Sequence, residues 1–536
     1  MTRTRLRLLY LAYGLSGMAA LADEVVWTRY LHLVLGSSVY AVAAMLSAYM
    51  SGLALGGVLG ARYGDRIANP LRAIIALELG IGATALLTLL LLQPLTDLHL
   101  WAYQRFQLQP ILYFSLDALL ALPLVLVPTT LMGATFPLIT RVAAGGSGEQ
   151  VARVTGTAYA ANTFGAIVGS AAAGFVAIPF LGLRGALIAA ASLNLIAALL
   201  VALSGDRKLR ARTAAGSVAV LVVLAALVPE PAAPVGYYVA GRAIADPSFP
   251  GRLAAMETVY RRWAPEGLVE VRQGPGGVKV LIVDGRIEGG SRTTETTTQD
   301  LLALAPAAAR GKREKVFLIG LGIGRTFDTH RGLFPAAELE VAEVNPGVVE
   351  AVSRFFLPGA ELPITVGDGR GLLKRGGEPY DAIISGPSFP VDTTSGNLFT
   401  LEFFQLVRSR LAEDGVFVGW MPGYLLDGMQ ERILMATVAE ALPHLRLLRL
   451  TRNDDLIIVA SPSLLPTSLE MIQRLATAVD PFWSQGVVEI RLDDDAQLAD
   501  YLAELGPDPR LNRDEDPWLE FTMARNLVRG RSWLRE

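Results

Sequence analysis

The first 230 residues contain seven apolar stretches, at 6–22, 38–60, 72–93, 113–140, 154–180, 183–204 and 213–229, and few folds accommodate that pattern. A hydrocarbon core needs about 20 apolar residues in helical form, because each residue advances about 1.5 Å. The stretches approach or exceed that length, and charge is sparse in them. Residues 1–230 carry 24 charged side chains with a net +6, and residues 231–536 carry the other 73 with a net −9. Two physically different regions are therefore joined end to end. Residues 1–230 read as a multi-pass α-helical membrane domain of about seven spans. Residues 231–290 read as a linker with a small β-hairpin subdomain, and 291–536 as an α/β domain. The first stretch is too polar in its flanks, and too well continued by further spans, to be a cleaved signal peptide. Between the first two spans, Val25 to Leu35 reads as a short amphipathic helix lying in the interface, anchored by Trp27 and Tyr30.

Basic residues near the span ends set an orientation. Twelve fall in the N-terminal segment and the loops on its side, from Arg3, Arg5 and Arg7 to Arg207, Lys208, Arg210 and Arg212; the alternate loops hold Arg29, Arg105 and Arg184. That asymmetry places the N-terminus in the cytoplasm of a bacterial-type inner membrane. An odd number of spans then delivers the C-terminal half to the periplasmic side. Small residues recur every four positions, as Gly52, Gly56 and Gly60 and as Gly165, Gly169 and Ala173, which lets helix backbones approach closely. Packing within one bundle is the expectation, and a homo-oligomer is the alternative. Glu78, Asp117 and the pair Asp23–Glu24 are acidic groups in or near the hydrocarbon, where charge is expensive. Interhelical hydrogen bonding is expected of them, with a transporter as the other reading.

Composition excludes several classes. With no cysteine there is no disulfide, thiol nucleophile or Cys-ligated metal centre, and four scattered histidines argue against a His-rich metal site. A net charge of −3 gives a nucleic-acid partner no support.

In the second half, Pro229–Gly236 reads as a linker. Val269–Arg272, a glycine-rich turn at 274–277 and Val278–Val283 read as a hairpin, with Asp284-Gly285 as a further turn. A helix is expected over Gln299–Ala309. Strand–helix alternation then follows, as in a parallel sheet. The apolar strand Lys315–Gly320 runs into Gly320-Leu321-Gly322-Ile323-Gly324 and a helix, and the strand Leu339–Val344 carries Glu343, 23 residues past Gly320. A glycine turn lets backbone approach a ligand at a helix N-terminus, and an acid about 20 residues further on can bond both ribose hydroxyls. Gly367-Asp368-Gly369 after a third strand extends the pattern.

These motifs resemble the spermidine synthases, the polyamine aminopropyltransferases, which share the class I methyltransferase (Rossmann-like) fold. The resemblance rests on Glu257-Thr258-Val259-Tyr260, Val283-Asp284-Gly285, the turn at 320–324, Glu343-Val344-Asn345, Gly367-Asp368-Gly369 and Leu398–Phe404. Leu411–Val418 follows in the expected order, with Asp414-Gly415 as its turn. The end of the chain, Asn512 to Pro517 with Glu520-Phe521, resembles the membrane-fused branch. The resemblance implies that Glu343 and Asp368 hold the ribose and adenine of an S-adenosylmethionine-type nucleoside, within a site that also includes Gly320, Gly322, Gly324, Asn345 and Gly369.

The departures concern the amine. Ile323 stands where the family's glycine turn carries an aspartate. Ser385 and Ser388 stand where two catalytic aspartates flank the loop after the fourth strand. The family's Tyr-His-Glu has Thr298-Gln299-Asp300 as its nearest counterpart. Aminopropyl transfer requires an ammonium to be held and deprotonated, and serine is neutral. General-base catalysis commonly contributes about 10²–10⁴ in rate. Asp392, Asp300 and Glu295 are the available substitutes. The expectation is a catalytically degenerate domain with a vestigial nucleoside site, no metal, and a role in binding or assembling a membrane or periplasmic protein partner. A working S-adenosyl-dependent transferase is the first alternative.

Overall fold

In a computed structural model of the chain, the residues described are 3–35, 39–106, 110–144, 151–205, 207–227, 248–291, 296–310, 315–387, 390, 395–451, 454–478, 488–508 and 510–529. They divide into two compact units, one comprising Met1–Phe106 and Ile111–Ala240 and the other Gly241–Glu536.

The first unit is helical: α1 (Arg3–Leu35), α2 (Val39–Tyr63), α3 (Pro70–Phe106), α4 (Pro110–Ala144), α5 (Val151–Ala172), α6 (Ile178–Ala202) and α7 (Arg207–Leu227). Four segments are long and apolar enough to cross a membrane: Val42–Arg66, Pro70–Leu92, Leu122–Ala144 and Val151–Ala202. The last spans 52 residues. It holds both the fifth and sixth predicted stretches, separated by a π-helical turn at Ala173–Ala177 and a break at Gly182 (φ 69°, ψ −179°). Neither α1 nor α7 is among the four; arginines crowd the start of each.

The interfacial helix expected at 25–35 is instead the continuation of α1, since no breaker separates it from the first span. Trp27 and Tyr30 are accordingly buried, at 0% and 1% exposure, rather than anchors at a surface. The Trp27 indole Nε1 donates to Thr88 Oγ1 on α3 at 3.0 Å. The small-residue spacing serves packing inside the unit. A Cβ on Gly56 would lie 1.9 Å from the Thr130 carbonyl oxygen of α4, and one on Gly165 1.8 Å from that of Gly14 on α1. Asp117 lies on α4, with its side chain outside the described set, and the linker Pro229–Gly236 is outside it entirely.

The second unit begins with a short helix, α8 (Phe249–Ala254), and a four-stranded antiparallel sheet. Its strands β1 (Glu257–Ala264), β2 (Gly267–Gln273), β3 (Lys279–Val283) and β4 (Arg286–Gly290) pair in sequence order. The predicted hairpin is its centre, with Gln273 opposite Lys279. The β3–β4 turn uses Asp284 (φ 47°) and Gly285 (φ 78°), the left-handed pair a tight hairpin turn requires.

After α9 (Thr297–Arg310) come β5 (Lys315–Ile319), α10 (Arg325–Leu333), β6 (Glu338–Glu343), α11 (Pro346–Ala351), β7 (Ile364–Val366), α12 (Gly369–Leu373) and β8 (Tyr380–Ser385). The chain continues through α13 (Leu401–Arg410), β9 (Leu411–Pro422), α14 (Gly428–Ala441), β10 (His444–Leu450), β11 (Asp455–Ser461), α15 (Ser468–Ala478), β12 (Val488–Leu492), α16 (Gln497–Glu504) and α17 (Trp518–Arg529). The eight strands from β5 onward form one sheet in the order β12-β10-β11-β9-β8-β5-β6-β7. β7, β6, β5, β8 and β9 are parallel, and β11 runs antiparallel to β9. The chain winds outward from β5 to β7, then returns to the other side of β5 as β8. That reversal opens a crevice at the carboxyl ends of β5 and β8, where open α/β sheets bind ligands. Asp414-Gly415 falls inside β9, at a register shift against β8, rather than in a turn before the strand.

Candidate nucleoside site

β5 ends in the crevice at Gly320. Gly320 (φ 88°), Gly322 (φ 53°) and Gly324 (φ 80°) all adopt the left-handed region, where a side chain is disfavoured. A Cβ on Gly320 would meet the Gly386 carbonyl oxygen at 2.7 Å, so the backbones of the β5 and β8 ends touch there. Around a Cβ at Gly322 there is open space, which leaves backbone facing the crevice. Gly324 then starts α10. Ile323, in the place of an acid, is buried among core residues, and its side chain packs on Gly289 of β4. The carboxylate of the family pattern is thus replaced by an apolar contact between the two sheets.

Glu343 closes β6 beside this turn. Its Oε2 accepts from the Leu321 backbone N–H at 2.9 Å, and its Oε1 from the Asn345 N–H at 2.8 Å. It is 8% exposed. Burial pushes its carboxyl up to about 7; the N–H groups of Asn345 and Leu321 pull it back in part, and the nearby Glu288 carboxylate of β4 adds to the rise. Asn345 caps α11 through its Oδ1, which accepts from the Gly347 N–H at 2.8 Å. Its amide nitrogen, also buried, has no hydrogen-bond partner among the described residues. A turn with bare backbone at its glycines, a buried acid at its edge and an unused donor fit a ribose and its base, which need acceptors for hydroxyls and donors for ring nitrogens.

Asp368 is exposed and caps α12, accepting from the N–H groups of Arg370 (3.2 Å) and Gly371 (2.9 Å). Gly369 sits where a Cβ would lie 2.6 Å from Ile319, so α12 packs directly on β5.

The amine half is different. Ser385 is the last residue of β8, paired with Ile319 and 3% exposed, so a neutral hydroxyl occupies the position beside the glycine turn. Asp300 is not free. It accepts from Arg325 Nε at 2.7 Å and from Thr329 Oγ1 at 2.7 Å, tying α9 to α10. Thr298 donates to Asp455 at the start of β11. Ser388, Asp392 and Glu295 lie outside the described residues.

Next to α12 lies a polar knot whose role the sequence pattern does not disclose. Arg370, 6% exposed, donates twice to Asp514, at 2.8 and 2.6 Å, and once to the Asn397 carbonyl at 2.8 Å. Thr400 Oγ1 donates to Asp514 at 2.7 Å, and the Arg370 guanidinium holds that carboxyl below the usual range. Asn512, 1% exposed, receives the Leu519 N–H and gives its own N–H to Thr437. The motif at 512–517 is therefore a clamp over the start of α13. Its run of acids was the only sequence signal, and it does not name Arg370 as the partner.

Fold and site together define a Rossmann-like α/β domain with a crevice at the carboxyl ends of β5 and β8. Comparison narrows the class. Residues 295–421 match the Spermine/spermidine synthase domain. A polyamine aminopropyltransferase of Corynebacterium efficiens is 28% identical over 306 residues, covering 54% of this chain and 56% of that protein. The corresponding enzyme of Buchnera aphidicola is 23% identical over 167 residues, covering 30% and 58%. The crystal structure of spermidine synthase from Thermotoga maritima aligns with a TM-score of 0.34 and 20% identity, over 50% of this chain and 85% of that one. Residues 295–421 are thus similar to the spermine/spermidine synthase domain, and the curated relatives found are polyamine aminopropyltransferases. The chain spans about half the length of the curated relatives it matches.

Proposed function

We propose that the chain is a membrane-integral, spermidine-synthase-like protein whose C-terminal domain binds an S-adenosyl-type nucleoside without transferring an aminopropyl group. In this reading the domain is a binding or assembly module for a membrane or periplasmic partner. The observation that carries it is the character of the β8 end. A buried hydroxyl, Ser385, stands beside the glycine turn in place of a carboxylate, and Asp300, an available substitute, is neutralised by Arg325. The nucleoside half keeps its acid and its glycines. A site of this kind recognises an adenosyl group but has no base among its described residues for an incoming ammonium.

The test is calorimetry on the purified protein with methylthioadenosine and decarboxylated S-adenosylmethionine, alongside a product assay with putrescine. Binding without product is expected. Product formation would overturn the degenerate reading in favour of a working transferase, which the retained Glu343 supports. Absence of any nucleoside binding would overturn both. Affinity purification from solubilised membranes is expected to recover a stoichiometric partner, and repeated failure to do so removes the assembly role.

A further inference from the structure

Between the starts of α3 and α7 lies a pocket of about 250 Å³. Ile75 and Leu79 of α3 and Leu209 of α7 give it an apolar wall, and Arg72, Lys208 and Arg212 stand around it. The wall belongs to the packed core of the helical unit, in which Ile75 is 5% exposed. A Cβ on Gly216, one turn past Arg212, would stand 3.7 Å from Leu79, so α3 and α7 are in contact just beyond the pocket. Thr213 also lines it, but its hydroxyl donates to the Leu209 carbonyl of its own helix at 2.9 Å. The charged donors of the pocket are the three cations.

Their placement is unfavourable for the helices that carry them. A helix start is the positive end of its dipole, where acids are favoured and cations are not. Neither α3 nor α7 has an acid in its first turn; Arg72 and Lys208 stand there instead. Arg72, Lys208 and Arg212 are exposed and form no ion pair among the described residues. Lys208 and Arg212, four residues apart, share one face of α7. Arg207 and Arg210 are turned from that face by roughly 100–160°, and they do not line the pocket. Three positive charges around one hollow, with no carboxylate in its lining, make a site for an anion.

We propose that this pocket holds the phosphate of an anionic phospholipid whose acyl chains run down the exposed apolar face of α7. Phosphate suits these cations, because a guanidinium binds its oxygens in pairs and an ammonium binds them as a point charge. The pocket is smaller than the roughly 300–1,000 Å³ of drug-sized ligand sites, which fits a small head group. The rest of α7 favours a lipid over a free phosphate. Val223, eleven residues past Arg212, and Val222, fourteen past Lys208, continue the same face and are 50% and 60% exposed. Arg212 and Val223 are about 16 Å apart along the helix, close to half of a hydrocarbon core about 30 Å thick. Pro70–Leu92 of α3, beside it, is long and apolar enough to cross that core. Basic pockets between spans are a general means of holding anionic head groups. The inference rests on the membrane-integral reading and is independent of the nucleoside.

The experiment has two stages. Membranes containing the full chain are first washed with alkaline carbonate; retention is expected, and release would overturn both this proposal and the membrane-integral reading. The chain, purified in a non-ionic detergent, is then titrated with dioleoyl phosphatidylglycerol and dioleoyl phosphatidylcholine in competition, and bound lipid is read by native mass spectrometry. Phosphatidylglycerol is expected to be preferred about tenfold. Arg72→Gln should weaken it about fivefold, and Lys208→Gln with Arg212→Gln about twentyfold. The control pair, Arg207→Gln with Arg210→Gln, removes the same charge from the same helix and should change it by no more than about twofold. Because the lining pair takes cations off a helix start, its lipid-free melting temperature is expected to match or exceed that of the parent, which separates a lost site from a lost fold. Three results would overturn the lipid site alone: no preference over phosphatidylcholine; equal losses in the two paired variants; or displacement of the lipid by glycerol phosphate at equal concentration, which would make the pocket a site for a soluble phosphate.

Discussion

At the scale of single residues, Glu343 is the group whose protonation governs the crevice in the proposed nucleoside reading. Its carboxyl titrates near 7 in the folded protein against 4.5 unperturbed. The folded chain therefore keeps a proton that the unfolded chain releases between those values. The stability this contributes is fully present below about 4.5 and lost as pH rises through about 7. Ligand binding has the opposite sign. A carboxylate already receiving two backbone N–H groups offers more free lone pairs to ribose hydroxyls when ionised than when one oxygen carries a proton. Methylthioadenosine affinity is therefore expected to increase between pH 6 and pH 8, with a midpoint near 7. Calorimetry across that range should also show Glu343→Gln binding weakly and with no such midpoint. A parent profile without a midpoint there would detach Glu343 from the nucleoside.

Elements show what the residue pattern conveyed and what it left out. Strand β6, the turn at 320–324 and helix α9 were legible because each carries a local signature: an apolar run, positive-φ glycines, an amphipathic period. The antiparallel additions β1 and β4 were less so, because their burial depends on partners far along the chain. The same cause hid the burial of Trp27, whose partner Thr88 is 61 residues away, and the Arg370–Asp514 pair, 144 residues apart. Within the turn the glycines are not equivalent. Gly320→Ala adds a Cβ 2.7 Å from a backbone oxygen at a φ of 88°, so neither strain can relax, and about 2–3 kcal/mol should be lost together with nucleoside binding. Gly322→Ala meets open space and should cost only about 1–2 kcal/mol, for its left-handed φ. Thermal unfolding of the two variants measures the contrast. The clamp makes a separate prediction. Arg370→Ala leaves Asp514 without its bidentate partner and should cost about 2–3 kcal/mol. Because Asp368 caps α12 through the Arg370 N–H, nucleoside affinity should fall with it, whereas Arg408→Ala, on the far turn of α13, should leave affinity unchanged.

For the whole molecule, the side of a membrane on which the second unit would lie distinguishes the functional readings. Four segments have the length and apolarity to cross, and one of them, Val151–Ala202, is a 52-residue run broken at Gly182, long enough for two passes. α1 and α7 are helices of 33 and 21 residues with most of their arginines at their starts, Arg29 of α1 excepted. If both cross as well, the passes number seven, and twelve basic residues against three keep the N-terminus in the cytoplasm. The second unit then emerges on the opposite side, away from cytoplasmic S-adenosyl donors, as the neutral Ser385 would suit. If α7 lies along the surface instead, the count is even, the unit stays with the donors, and a transferase gains the substrate pool it requires. A C-terminal fusion to alkaline phosphatase, active only outside the cytoplasm, is expected to be active, and a fusion to a fluorescent protein that matures only inside is expected to be dark. Deleting 207–227 should exchange the two signals. A bright fluorescent fusion on the full chain would return the domain to its donors and shift the reading from assembly module to enzyme.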